Sequence, residues 1–576
     1  MSESKQAGES ASSVEPSHAS GLTNLNIDGL VLGSHDATPL EFWVGVHDGN
    51  QIELDDLVVV ETVSPQGQSV RFFGIVDAVR KRYEGAQYDT DAFRAAAGTL
   101  PVDISYAAHV QVTRVDPEVF IPPHPGDAVR IVRGEEFQAA LYFDRMEHRL
   151  PIGLTRTGEP VFANLEFLDG TRGAHASISG VSGVATKTSY ATFLLYSLFR
   201  SQALGSESIN SKALIFNVKG EDLLWLDRPN VRLDPEARSR YERLGLPADA
   251  FQGVGLYAPA RRGAGAPMPD TGGRQEGVKP YLWTMREFAR DHLLRFAFVE
   301  AEANRGQLSF VIVRVERALE RAAADGAPDD PAVEIDSQRL ETFDQLVELL
   351  DGQALDSMMA GPVAPGTLDA FRRRLHAAAQ HMGHLVRGGQ AARNRAIDWT
   401  DHQVTVVDIH TLHSTAQMFV VGVLLKRMME QKEARGTARP LVFVVLDELN
   451  KYAPRERSSP IRDVLLDIAE RGRSLGVSLF GAQQTASEVE RRVVANAALK
   501  VVGRLDAAEA ERGEYGFLTR VARLRATLLQ PGTMIVAQPE IPTPILLRFP
   551  FPAWATRQSE ALSVASGRDP FARITD

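Results

Sequence analysis

The chain has 576 residues, 44% of them hydrophobic and 24% charged, which suits a soluble globular protein of several domains with a large core. Its net charge of -11, from 63 Lys+Arg against 74 Asp+Glu, excludes a protein that coats nucleic acid over its whole surface, though a local basic channel remains open to it. The absence of cysteine excludes disulfides, thiolate zinc sites and cysteine nucleophiles, and no apolar run approaches the roughly 20 residues of a membrane-spanning helix.

Residues 1–20, "MSESKQAGESASSVEPSHAS", hold no apolar segment of the signal-peptide kind and no aromatics, so a disordered tail and a cytoplasmic address without a membrane partner are expected. Short β-rich runs follow from about 22 to 118: "GLVLG", "EFWVGV", "LDDLVVVETV", "VRFFGIVDAV" and "AAHVQVTRV". Their spacing predicts a small barrel or sandwich, bounded at 21–135, whose plainest role is structural or docking. After "IPPHPGDAVRIV" the rhythm becomes strand then helix. "HASISG" precedes a turn and an apolar helix, "KALIFNVKGEDLLWLD" is a buried strand ending in polar residues, and "VGLYAP" is a third strand. Residues 260–280, dense in Gly and Pro, read as a surface loop.

Helical periodicity with few β signals then marks an insertion over 284–400. Strand signals return at "VTVVDIHTL" and "LVFVVLDE", separated by the helix "STAQMFVVGVLLKRMMEQKEARG". The interrupted β-α alternation predicts an α/β core in two parts, 136–283 and 401–555, built on a mostly parallel sheet with helices on both faces. A C-terminal tail is expected over 556–576.

The turn after "HASIS" reads Gly180, Val181, Ser182, Gly183, Val184, Ala185, Thr186, Lys187, Thr188, Ser189. A phosphate loop has the form G-x-x-x-x-G-K-[ST]: backbone N–H groups and a helix N-terminus converge on the anion, a lysine neutralises phosphate charge, and a hydroxyl reaches magnesium. Here Gly180 stands seven residues before Lys187 instead of six, and Thr186 takes the place of the second glycine. Alone, such a stretch reads equally as an ordinary strand-to-helix turn. "PLVFVVLDELNKYAP" supplies the complement. An apolar strand ending in Asp447 and Glu448 presents one carboxylate to magnesium, shared with Thr188, and a second to the attacking water. An acidic turn after a strand is common by itself; paired with the Lys-Thr turn it implies a P-loop NTPase that binds ATP and Mg2+.

In "AERGRSLGVSLFGAQQTASEV" a strand carries Gln483 and Gln484 to a tip expected beside the acid strand, where a polar group can sense the γ-phosphate. Arg471 and Arg473 precede it, either as solvated helix-end charges or as donors of positive charge to a transition state across a subunit boundary.

In this order the motifs resemble those of the HerA branch of the HerA/FtsK ring ATPases, over most of the chain. The matching residues are His175 and "ISG" before the loop, "NVKGE" (217–221) with Asn217 in place of an acid, Asp447-Glu448, Gly472-Arg473, "QTAS" (484–487) with Ala486 in place of proline, and Arg548-Phe549-Pro550. The resemblance implies an N-terminal β-barrel, a RecA-like domain with a helical insertion, a homohexameric ring moving on double-stranded DNA, and a nuclease or other effector docked on it. It also implies Gln484 as γ-phosphate sensor and Arg473 or Arg548 as arginine finger. The altered loop bears on turnover more than on fold, because Thr186 restricts the approach of backbone N–H groups to the phosphates.

Arg372, Arg373, Arg374, Arg387, Arg393 and Arg395 cluster in the insertion, as phosphate contacts or as a solvated face; no aromatic residue interleaves for base stacking. His376, His381, His384, His410 and His413 lack the spacing of metal ligands. Two other readings stay open: an ATP-binding scaffold that organises an effector with little hydrolysis, and a TraG-type coupling ATPase, suggested by "NVKGE".

Overall fold

The computed structural model describes residues 27–181, 187–263, 266–298, 305–327, 329–359, 361–388, 392 and 395–561. The N-terminal tail, residues from 562 onward, Arg393, and Ser182, Gly183, Val184, Ala185 and Thr186 of the phosphate loop lie outside the described residues. The chain divides into two compact units, one through Asp144 and one from Arg145.

In the first unit, strands β1 (Gly29–Val31), β2 (Glu41–Val46), β3 (Leu57–Val63), β4 (Ser69–Glu84), β5 (Asp103–Asp116) and β6 (Ala128–Ile131) close a barrel in the order β1-β2-β5-β4-β3-β6. Alternating β-branched and aromatic side chains point inward, since successive residues of a strand face opposite sides; Phe42, Val44, Val58, Val60, Phe72, Val110 and Val129 are buried together. Gly74 sits where β4 and β5 shift register, and a Cβ there would lie 2.4 Å from Val110 Cγ1, so only glycine allows the approach. The closing strand β6 comes from "AVRI", a segment whose proline-rich approach reads as a connection in sequence.

The second unit carries β7 (Arg149–Leu154), β8 (Pro160–Asn164), β9 (Ala176–Ser179), β10 (Lys212–Asn217), β11 (Val254–Pro259), β12 (Val278–Tyr281), the hairpin β13 (Val333–Ile335) and β14 (Gln338–Leu340), then β15 (Val404–Asp408), β16 (Val442–Leu446), β17 (Val477–Gln483), β18 (Leu499–Val502), β19 (Thr533–Ala537) and β20 (Ile545–Arg548). All but the hairpin form one sheet in the order β12-β11-β15-β10-β16-β17-β9-β18-β19-β20-β7-β8. Neighbours from β12 to β18 are parallel, and those from β18 to β8 antiparallel. This is the mixed α/β core that the strand-helix alternation predicts, with the RecA-like order in which one strand separates the phosphate-loop strand from the acid strand.

Two parts of the sheet escape the sequence reading. Its antiparallel extension is built of short strands, and β12 emerges from a segment that reads as loop; Pro280 is tolerated there because β12 is an edge strand. The insertion is helical as expected, with helices Arg305–Asp325, Phe343–Asp351 and Pro365–Met382, and it adds the β13–β14 hairpin. It shares a continuous core with the sheet: Trp283, Phe288, Phe343 and Phe419 pack edge to face or stacked, with ring centroids 5.2 to 6.2 Å apart. The first residues of the expected C-terminal tail are ordered too. Glu560 is buried and accepts the Thr556 N–H and hydroxyl, each at 2.9 Å.

Candidate active site

Parallel strands all end at one edge of a sheet, and side chains that follow them meet there. β9 lies between β17 and β18, with β16 on the other side of β17. The turn after β9 and the acids after β16 therefore flank the tip of β17. β9 itself is wholly buried and is anchored at its start by His175, whose Nδ1 accepts the Leu479 N–H at 2.9 Å while the His175 backbone N–H donates to Ser478 Oγ at 3.0 Å. Burial pushes the pKa of this imidazole down to about 4.

Both neighbouring strands hold the beginning of the phosphate loop. The Gly180 N–H donates to Gln483 O at 3.1 Å and the Val181 N–H to Arg504 O at 2.7 Å. The helix Lys187–Arg200 opens on the far side of the loop. Lys187 is buried and its Nζ donates to Val181 O at 3.2 Å. Burial lowers its pKa, and the nearby Asp447 carboxylate opposes that shift. Thr188 Oγ1 donates to Asp447 Oδ2 at 2.8 Å, joining two residues 259 apart in sequence. Ser189, next on the helix, is partly exposed and its carbonyl accepts the Thr192 hydroxyl at 2.9 Å.

Glu448 follows directly in a left-handed conformation, φ 56° and ψ 42°, which costs a non-glycine residue roughly 1–3 kcal/mol. Its N–H donates to Asp447 Oδ1 at 2.8 Å. The sharp turn sets the two acids side by side at the strand tip, where each can take a separate task.

Lys219 is the residue that sequence reasoning missed. Its Nζ lies 3.4 Å from Asp447 Oδ2 and 3.2 Å from Glu448 Oε1. Burial works against its charge, but the two carboxylates outweigh burial and raise its pKa. The signal was available: a lysine two residues past a buried strand, in "NVKGE", with that strand next to the acid strand. The other members of that motif brace the loop. Asn217 Nδ2 donates to Asp408 Oδ1 at 2.9 Å and to Gly220 O at 2.7 Å, and Glu221 accepts the N–H groups of Gly272 and Gly273. Asp408 is buried, which raises its pKa; its bond to His410 Nδ1, at 2.7 Å, raises that of the imidazole.

At the tip of β17, beside β16, the two glutamines divide their roles. Gln483 is fully buried and donates to Ser177 Oγ at 2.7 Å and Ser179 Oγ at 2.9 Å, so it braces the strand that leads into the phosphate loop. Gln484 is exposed and is the one available to a ligand.

The two candidate finger arginines lie at opposite edges. β20 runs parallel to β9 through two antiparallel steps, with Leu546 level with Ser179. Exposed Arg548 thus ends on the phosphate-loop edge, three strands and roughly 14 Å to the side. Arg473 is not brought to the site in its own chain. It precedes β17, so a strand of 7 residues, about 20 Å, separates it from that edge, and its guanidinium donates to Gly170 O and Thr171 O at 3.1 and 2.8 Å. Arg471 pairs with Glu433 and Asp467 as a solvated helix charge.

In the insertion, Arg372 is tied to Leu350 O, Asp356 and Asp369, and Arg387 to Gly263 O. Arg373 is exposed, Arg374 and Arg395 half-buried. His376 has a carboxylate that the sequence did not reveal, Asp351, at 2.8 Å, because that acid arrives from a neighbouring helix. His381 stacks on His413 with centroids 3.6 Å apart.

A threonine hydroxyl and a carboxylate oxygen within hydrogen-bond distance, at the start of a helix that follows a phosphate-type turn, are oxygen donors of the kind magnesium takes alongside phosphate oxygens. The residues present fit a Mg2+–nucleotide.

No family model and no curated protein matches the chain. Among solved structures it is similar to VirB4 of Thermoanaerobacter pseudethanolicus, at 16% identity over 70% of this chain and 96% of that one, with a TM-score of 0.42. It is also similar to the plasmid coupling protein TrwB in complex with the non-hydrolysable ATP analogue ADPNP, at 12% identity over 75% and 96%, with a TM-score of 0.48. The genome packaging NTPase B204 of Sulfolobus turreted icosahedral virus 2 covers 26% of this chain at 15% identity, with a TM-score of 0.20. These likenesses are low, and the functional reading rests on the geometry of the site. Among the described residues no helix is long and apolar enough to cross a membrane.

Proposed function

We propose that this chain is an ATP-driven motor of the HerA kind, a homohexameric ring that moves double-stranded DNA through its centre and works with a nuclease or other effector. The observation that carries the reading is the meeting of Thr188 Oγ1 with Asp447 Oδ2 at 2.8 Å, beside buried Lys187 and at the turn to Glu448.

In this reading Lys187 neutralises the β- and γ-phosphates and the backbone from Gly180 cradles them. Thr188 and Asp447 hold Mg2+, which screens the phosphate charge when bound. Glu448 accepts a proton from the attacking water, and Gln484 contacts the γ-phosphate. Arg548 supplies positive charge from the phosphate-loop edge, whereas Arg473 acts only if a neighbouring subunit presents it.

Steady-state ATP hydrolysis with and without linear duplex DNA tests the proposal, beside Lys187→Ala and Glu448→Gln. Turnover that rises with DNA and disappears in both variants is expected. Lys187-dependent nucleotide binding without turnover would replace the motor by an ATP-binding scaffold, and the absence of binding would overturn both.

A further inference from the structure

The Asp447–Glu448 pair already has a counter-ion. Two adjacent carboxylates at a strand tip repel each other, and the Lys219 ammonium lies across both, at 3.4 and 3.2 Å. The Asp447 oxygen it approaches, Oδ2, is the same one that accepts the Thr188 hydroxyl. A magnesium ion held by Thr188 and Asp447 would compete for that carboxylate. A divalent ion and an ammonium cannot share one carboxylate without strong like-charge repulsion.

The surroundings show which partner gives way. The Lys219 side chain is 45% exposed, on a stem of rotatable bonds that can swing toward water. The backbone around it cannot follow easily, because Asn217 is bonded to Asp408 and Gly220, and Glu221 to the N–H groups of Gly272 and Gly273. Thr188 and Asp447 are held by the helix start and the strand. Motion therefore falls on the lysine side chain.

Resting on the nucleotide reading above, we propose that Lys219 is a displaceable counter-ion of the Asp447–Glu448 pair, exchanged at Asp447 for the magnesium of an arriving nucleotide and retained on Glu448. Lys219 is then a positioning residue: it holds the water-activating carboxylate while setting the magnesium concentration at which nucleotide binds tightly.

The test is the binding of a fluorescent ADP analogue to the full chain, titrated with Mg2+ and measured separately in EDTA, for the parent protein, Lys219→Ala, Lys219→Arg and Lys187→Ala. The one pair that magnesium displaces, between half-exposed Lys219 and Asp447, corresponds to roughly a two- to fivefold effect. Lys219→Ala is expected to lower the Mg2+ concentration for half-maximal tight binding by about that factor, to leave binding in EDTA unchanged, and to be rescued by Lys219→Arg. An unchanged Mg2+ midpoint overturns the proposal, as does weaker binding in EDTA, which would make Lys219 a phosphate ligand. If Lys219→Ala fails to melt cooperatively, Lys219→Gln carries the same readout. Loss of the nucleotide reading is distinguishable, because Lys187→Ala would then bind the analogue as well as the parent.

Discussion

Protonation of His175 should unlock the strand that carries the phosphate loop. The ring is 3% exposed and accepts a backbone N–H at Nδ1, which it can do only while neutral. Burial holds its pKa at about 4 against the ordinary 6.5. Between those values the unfolded chain binds a proton that the folded chain refuses, so this contribution to stability is complete above about pH 6.5 and is lost as the pH falls toward 4. At about 1.4 kcal/mol per pH unit, the loss is roughly 2 kcal/mol at about pH 5 and roughly 3 kcal/mol once the group is fully protonated. Other groups titrate in the same range, so the assay is a difference: urea unfolding of the parent and of His175→Gln at about pH 7.5 and about pH 5. The variant should be weaker at the higher pH by about 1–2 kcal/mol for its lost hydrogen bond. That gap should close or reverse at the lower pH, since glutamine has no proton to take up. The same gap at both pH values would refute the assignment of a neutral strut.

Two further outcomes follow from buried polar groups. Gln483→Leu keeps the volume but strips two hydrogen bonds from the serines of β9, and should cost about 2 kcal/mol in urea unfolding with nucleotide affinity falling in parallel, measured by titration. Arg295→Ala removes the partner of Glu316, a side chain 2% exposed that the arginine meets at 2.6 Å. Because Arg295 is itself 43% exposed, the cost should be nearer 2 kcal/mol than the 3–5 of a fully buried pair, and helix protection in hydrogen exchange should drop across Arg305–Asp325.

Much of the site is legible in sequence, because each half is a local pattern. An apolar strand that ends in Asp447-Glu448 can end only at a sheet edge, and a Lys-Thr pair opening an apolar helix marks the helix start. The split into a β-rich leading region, an alternating core and a helical insertion is equally local, since periods of 2 and 3.6 are read within a few residues. Lys219 was harder to see. One lysine beyond a strand carries no meaning until the sheet order puts that strand beside the acids.

The sequence by itself determined the element types, the two acids, and the lysine and threonine meant to face them. Only the tertiary structure decided who meets whom. The parallel order β10-β16-β17-β9 brings Thr188 to Asp447 and Lys219 across both acids, sends Gln483 inward and leaves Gln484 outside. By entering β17 at its opposite end, the chain carries Arg473 away from its own site. The physical reason is that strand pairing joins residues hundreds of positions apart through backbone hydrogen bonds that carry no side-chain signature, so which tips become neighbours is set by how the whole sheet buries its faces.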